Sequence, residues 1–125
     1  MSFEADLKSH LQGGAAVAAL LQDRFHPLVR PEGGALPAAT YTLIYADPLA
    51  NLDGMDGSLR NIRVQIDTWA QSFSAVVGLA DAIRSRMNTA ASTFTSVVLP
   101  TQFDDYEPDT RLYRRMQEFS CWYTA

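Results

Sequence analysis

The sequence predicts a small α+β domain: a mainly antiparallel sheet with helices packed on one face. Three stretches carry that expectation. Between Arg60 and Gln71, Ile62, Val64 and Ile66 alternate with Arg63, Gln65 and Asp67, the period-two pattern of a strand with one apolar face. Directly after it, Val76, Leu79, Ala80, Ile83 and Met87 fall at i, i+3, i+4, i+7 and i+11, the stripe of a helix lying on a sheet. Before it, Thr40 to Ala46 sets Tyr41, Leu43 and Tyr45 against Thr42 and Ile44 in a run of strong β-formers.

At 125 residues and 47% hydrophobic content the chain suits one domain with one core. Within that single domain (1–125) the patterns predict a helical region over 1–22, a long hairpin over 40–69, a helix over 72–88 and strands over 94–123. Phe3, Leu7 and Leu11 make one stripe of a first helix, Phe3 to Gln12. Gly13-Gly14 breaks it, because paired glycines cost backbone entropy, and Ala15 to Gln22 reads as a second short helix or a kinked continuation of the first. Asp23 to Pro27 reads as the helix end and a short extended piece. Leu28 to Ala39, with Pro31, Gly33-Gly34 and Pro37, reads as a loop. Asp47 to Leu59 holds Asp53-Gly54 and Asp56-Gly57, which mark turns at the tip of the hairpin.

For the later helix, Ser72 or Ser74 is the expected N-cap and Asn88 a left-handed C-cap, with Arg84 and Arg86 suiting the dipole at its end. Ser74, Gly78, Asp81 and Ser85 form its outer face. Phe94 to Leu99 is expected as a strand ended by Pro100, followed by an acidic connection from Gln102 to Asp109. The last strand runs from Arg111 to Tyr123 with two mixed faces. Tyr113, Arg115, Gln117, Phe119, Cys121 and Tyr123 share one, and Leu112, Arg114, Met116, Glu118, Ser120 and Trp122 the other.

Composition narrows function by exclusion. Fourteen acids against ten bases give a net charge of −4, and Lys8 is the only lysine, which argues against sequence-specific or broad nucleic-acid binding. A lone Cys121 offers neither a disulfide framework nor a thiolate cage, and it reads as a small buried hydrophobe in a reducing compartment. No signal peptide is visible, and no apolar run reaches the length of a membrane span. His10, expected at the surface, and His26, expected packed in a loop, are on separate elements with no second ligand at metal spacing. The acidic tip lacks the alternating oxygen ligands of a calcium loop. No nucleophile elbow, phosphate loop or dinucleotide fingerprint occurs, and Asp104, Asp105 and Glu107 read as solvated acids. The residues therefore predict no catalytic, metal or cofactor site.

What remains is interaction chemistry. Arg63, Gln65, Asp67 and Trp69 on the central strand, with Arg114 and Trp122 on the last, combine arginine with aromatic rings as protein interfaces do. A cross-strand ladder within one subunit would use the same residues.

Several ordered signatures add a family. They are Asp23-Arg24-Phe25-His26-Pro27, Leu36-Pro37-Ala38-Ala39-Thr40-Tyr41, the Asp53-Gly54 tip and Arg63-Val64-Gln65-Ile66-Asp67-Thr68-Trp69-Ala70. Ala80-Asp81-Ala82-Ile83-Arg84 follows, then Tyr113-Arg114 near Phe119 and Trp122-Tyr123. Together they resemble the tail-completion, or tail-terminator, proteins of long-tailed phages, prophages and gene transfer agents. Arg115 and Gln117 depart from the apolar residues expected on that strand.

The resemblance implies a non-catalytic subunit that assembles as a ring, expected to be a hexamer, on the tail tube. It would end tube polymerisation and form the head-tail joining surface. The implied partners are further copies of itself, the major tail-tube protein and a head-closure or connector protein, with no membrane. The implied place is the virion neck, after assembly in the host cytoplasm. Asp53 and Asp56 are then candidate lumen-facing residues, because a DNA conduit should repel phosphate. A ring with Asp53, Asp56, Asp104 and Asp105 all on its outer rim would contradict this. Two other readings fit the residues: another head-tail connector or neck protein, or a small ligand-binding or enzymatic α+β domain.

Overall fold

The computed structural model describes residues 3–29, 34–48, 59–89 and 94–124. The expected hairpin tip with Asp53 and Asp56, and part of the expected loop after Leu28, lie outside the described residues. In chain order the elements are α1 (Phe3–Gln12), α2 (Ala15–Leu21), β1 (Phe25–Pro27), β2 (Ala38–Pro48), β3 (Leu59–Ala70), α3 (Phe73–Met87), β4 (Phe94–Glu107) and β5 (Leu112–Thr124). The five strands form one sheet in the order β1-β2-β3-β5-β4. Every pair is antiparallel except β1 with β2. This is a single α+β domain with its helices on one face of the sheet.

β3 is the middle strand, paired along its length with β2 on one side and β5 on the other. Its even-numbered residues Ile62, Val64 and Ile66 are buried beneath the helices. They meet the α3 stripe, of which Val76, Leu79, Ala80, Ile83 and Met87 are all fully buried, while Ser74, Gly78, Asp81 and Ser85 face out. Phe119 and Cys121 of β5, Leu7 and Leu11 of α1 and Val17 and Leu21 of α2 complete the core. Each such aliphatic side chain contributes about 1.5–3 kcal/mol on full burial.

Ser72 is the N-cap of α3, its hydroxyl accepting from the Ala75 N–H at 3.2 Å. Asn88 is not the left-handed cap expected. It keeps right-handed helical angles (φ −74, ψ −10), and its N–H reaches back to the Arg84 and Arg86 carbonyls. No φ > 0 residue is needed where the last turn simply tightens.

Three further expectations change. Pro100 does not end a strand. β4 runs from Phe94 through Glu107, and the residues expected as an acidic connection form most of its second half. β4 is an edge strand, where proline loses no ladder bond, and the irregularity is absorbed locally. Val98 pairs with Phe119 and Gln102 with Gln117, so Leu99, Pro100 and Thr101 stand opposite Glu118 alone. The loop expected up to Ala39 ends earlier, because Ala38 and Ala39 already pair with Trp69 and Thr68.

His10 is the third. It is buried rather than at the surface, because the end of α3 packs over it: its Nε2 is 2.9 Å from the Arg86 carbonyl oxygen. Arg86 returns the contact, donating from Nε to the His10 carbonyl at 2.6 Å. The Arg86 side chain thus lies across the α1–α2 corner, and Gly13 and Gly14 are where it fits. A Cβ on Gly14 would stand 2.7 Å from Arg86 Cδ, and one on Gly13 2.9 Å from its Nη2. The pair serves as a chain break and as a cradle for a pinned arginine.

Gly14→Ala should therefore destabilise the fold by about 1–3 kcal/mol in urea unfolding, as overpacking does. The loss should shrink when Arg86→Ala is combined with it. Additive losses would show that Arg86 is not what the glycine accommodates.

Candidate functional site: the uncovered sheet face

The odd-numbered residues of β3 point to the face without helices. Its pairing fixes their neighbours: Gln65 lies opposite Glu118, Asp67 opposite Met116 and Trp69 opposite Arg114. On the other side Asp67 lies opposite Thr40 and Gln65 opposite Thr42. β4 adds Phe103 opposite Met116 and Asp105 opposite Arg114.

Two groups of charges result. Arg63 Nη2 donates to Glu118 Oε2 at 3.1 Å. Gln65 Nε2 stands 3.2 Å from both oxygens of Asp67. Arg114 reaches Asp67 at 4.0 Å and Asp105 at 3.7 Å, and its guanidinium lies 5.4 Å from the centre of the Trp69 ring and 6.0 Å from that of Phe103. Trp69 Nε1 points to Thr40 Oγ1 at 3.5 Å. Arginine between two carboxylates and two aromatic faces uses both its charge and its plane.

The structure thus brings Gln65, Asp67, Trp69 and Arg114 together, with Arg63 on the same face but paired separately to Glu118. Trp122 shares their face and is exposed, but it stands opposite Asn61 at the far end of β5, roughly 26 Å of strand from Arg114. Two features were missed from sequence. Asp67 and Glu118 are buried, at 8% and 7% exposure, by their strand neighbours rather than by a second layer. Burial is the main cause of a raised Asp67 pKa, with Gln65 and Arg114 opposing it. Phe103 and Asp105 also belong to this face. Their alternation in a strand was the available signal, hidden by Pro100.

The helix-side face of β5 explains its mixed composition. Arg115 lies at the N-terminal end of α3, its guanidinium 5.7 Å from the Phe73 ring centre and bonded to Asp104 Oδ1 at 2.8 Å. Gln117 is buried at 2% exposure, and its Oε1 finds no partner among the described residues. Tyr123 donates to Asp6 Oδ2 at 2.8 Å, tying β5 to α1. Burial pushes the Cys121 thiol up to about 12, so at neutral pH it is a thiol and not a nucleophilic thiolate. Among the described residues no group of three or more His, Cys, Asp or Glu is placed to hold a metal ion. None of the described helices is long and apolar enough to cross a membrane.

The model of the family described as tail completion protein gp17 matches residues 5–124. The chain belongs to that family. A tail completion protein is a structural protein of the phage tail or neck, so the ordered signatures point to the right family. No curated protein matches the chain. A chain from the solved virion of a native gene transfer agent particle is similar in fold. Its TM-score is 0.66 at 17% identity, over 99% of this chain and 96% of that one. An identity that low shows likeness of fold alone.

Asp67 gives this tail completion protein a pH signature. A carboxyl whose folded pKa is raised favours folding in its protonated form. Its contribution is present below the unfolded value of 3.8 and is lost as pH rises through the folded one. Asp67→Asn, which mimics the protonated group, should gain stability relative to wild type between pH 3 and pH 7. Urea unfolding at the two pH values measures this, and an equal difference at both would refute it.

Proposed function

We propose that the protein caps the tail tube as a ring of six subunits. The ring ends tube polymerisation and offers the head-closure or connector protein its joining surface. One observation carries the reading: the tail completion family matches 120 residues, 5 through 124, of the 125-residue chain. The uncovered face supports it. Arg63, Arg114, Trp69 and Trp122 are the residue types that supply contact energy at protein interfaces, and strand pairing holds them in place in advance. In this reading the face receives either a neighbouring subunit or the tube, assembly takes place in the host cytoplasm, and no reaction is catalysed.

Tails made without this protein should be overlong and fail to join heads, as electron microscopy of lysates would show. Tails of normal length would remove the terminator role and leave another neck role.

A further inference from the structure

Eight large hydrophobic side chains stand exposed among the described residues: Leu20, Leu28, Val29, Ile44, Phe73, Phe103, Tyr106 and Trp122. All but Trp122 lie toward one of the two opposite edges of the sheet, and the two sets differ in kind.

At the β1–β2 edge the set is aliphatic. Leu20 precedes β1, Leu28 and Val29 follow it, and Ile44 is the bulged residue of β2. Beside Leu20, Arg24 donates to the Pro37 carbonyl at 2.7 Å, the Leu20 carbonyl at 3.0 Å and Gln22 Oε1 at 3.2 Å. All three acceptors are neutral, and among the described residues no carboxylate pairs with Arg24. Among the described residues this edge therefore carries a fixed cation, paired to no carboxylate, beside the exposed Leu20, with Leu28 at the Tyr41 level and Ile44 six residues along β2 from Ala38.

At the β4 edge the set is aromatic. Phe73 and Tyr106 line a cleft of about 340 Å³ with Tyr113, Asp104 and Asp105. The Tyr106 and Tyr113 rings are 4.8 Å apart, Phe73 and Tyr113 6.0 Å. Asp104 is matched by Arg115, but Arg114 is shared between Asp105 and Asp67. Carboxylate is in excess here, and the Asp105 side chain is 45% exposed.

The two edges also agree in level. Arg24 bonds to Pro37 and Ala39, next to Ala38. Ala38 pairs with Trp69, Trp69 with Arg114 and Arg114 with Asp105. Arg24 and Asp105 thus lie on one line across the sheet, at opposite ends. Rotation of a second copy about an axis along the strands keeps that line level and sets Asp105 of one copy beside Arg24 of the next.

We infer that the β4 edge of each copy docks on the β1–β2 edge of its neighbour, Asp105 meeting Arg24 and the aromatic cluster meeting Leu20 beside it. The inference rests on the ring reading and deepens it by naming the faces that meet. Because the two patches differ and lie on opposite sides, the contact is heterologous. It repeats from copy to copy and ends only by closing. Aromatic anchors with one opposed charge pair would give it both contact energy and register.

The test uses full-length Asp105→Lys, Arg24→Glu and the two combined, each produced with tail tubes. Thermal melts establish that each variant is folded, and electron micrographs count tubes that end in a ring. Each single variant places like charges in contact and should lower the capped fraction by about tenfold or more. The combined variant restores opposite charges and should recover most of it. Folded single variants that cap as wild type does would overturn the pairing of these edges and leave the ring reading intact. So would a folded combined variant as defective as either single one. Wild-type tubes without rings would instead overturn the ring reading, and this inference with it.

Discussion

The two-sided pairing of β3 is the constraint on which the rest of the molecule depends. β3 is held to β2 and β5 along its length, so the direction of every side chain on the three strands is set together. A slip of one residue would carry Ile62, Val64 and Ile66 out from under α3 and bring Arg63, Gln65 and Asp67 in. The penalty on that slip is large because the helices close over one face only. The buried ring of Leu79, Ile83, Met87, Phe119 and Leu7 accepts one register. A second constraint fastens the helical layer at its corners. The reciprocal bonds of His10 and Arg86 join α1 to the end of α3, and Tyr123 to Asp6 joins α1 to β5.

On the uncovered face, ion pairs matter for position more than for stability. Arg63 is partly exposed while its partner Glu118 is buried, and Arg114 stands 4.0 and 3.7 Å from its two carboxylates. Exposed pairs contribute little, and half-buried ones spend in desolvation much of what they gain. What such a lattice supplies is a set of arginines and rings that lose little freedom on contact. That suits a protein whose work is assembly, where ordering costs would otherwise subtract from each interface.

The edges of the sheet extend the same logic. An unpaired edge invites uncontrolled pairing, and β4 carries two devices that blunt it: the irregularity around Pro100, and charge at Asp104 and Asp105. The aromatic cluster follows directly after these devices. Indiscriminate strand addition is discouraged in the same element that carries the chemistry for one specific contact. The opposite edge has its own distinct apolar and cationic character, so the two do not compete for the same partner.

What the sequence determined by itself was whatever repeats locally. The alternation from Ile62 to Ile66 and the stripe from Val76 to Met87 are properties of one element each. They sufficed for the fold class, for the face that β3 buries and for the residues by which α3 packs. Gathered in order, the short signatures also sufficed for the family. Only the tertiary structure decided matters that depend on strands far apart in the chain. Pro100 looks like a stop until β4 is known to be an edge. His10 looks exposed until Arg86, 76 residues away, closes over it. The burial of Asp67 and Glu118, the company of Phe103 and Asp105, and the alignment of Arg24 with Asp105 all come from strand order. The physical reason is the same throughout: periodicity encodes which side of an element faces inward, whereas its neighbours are set by long-range pairing that no local pattern records.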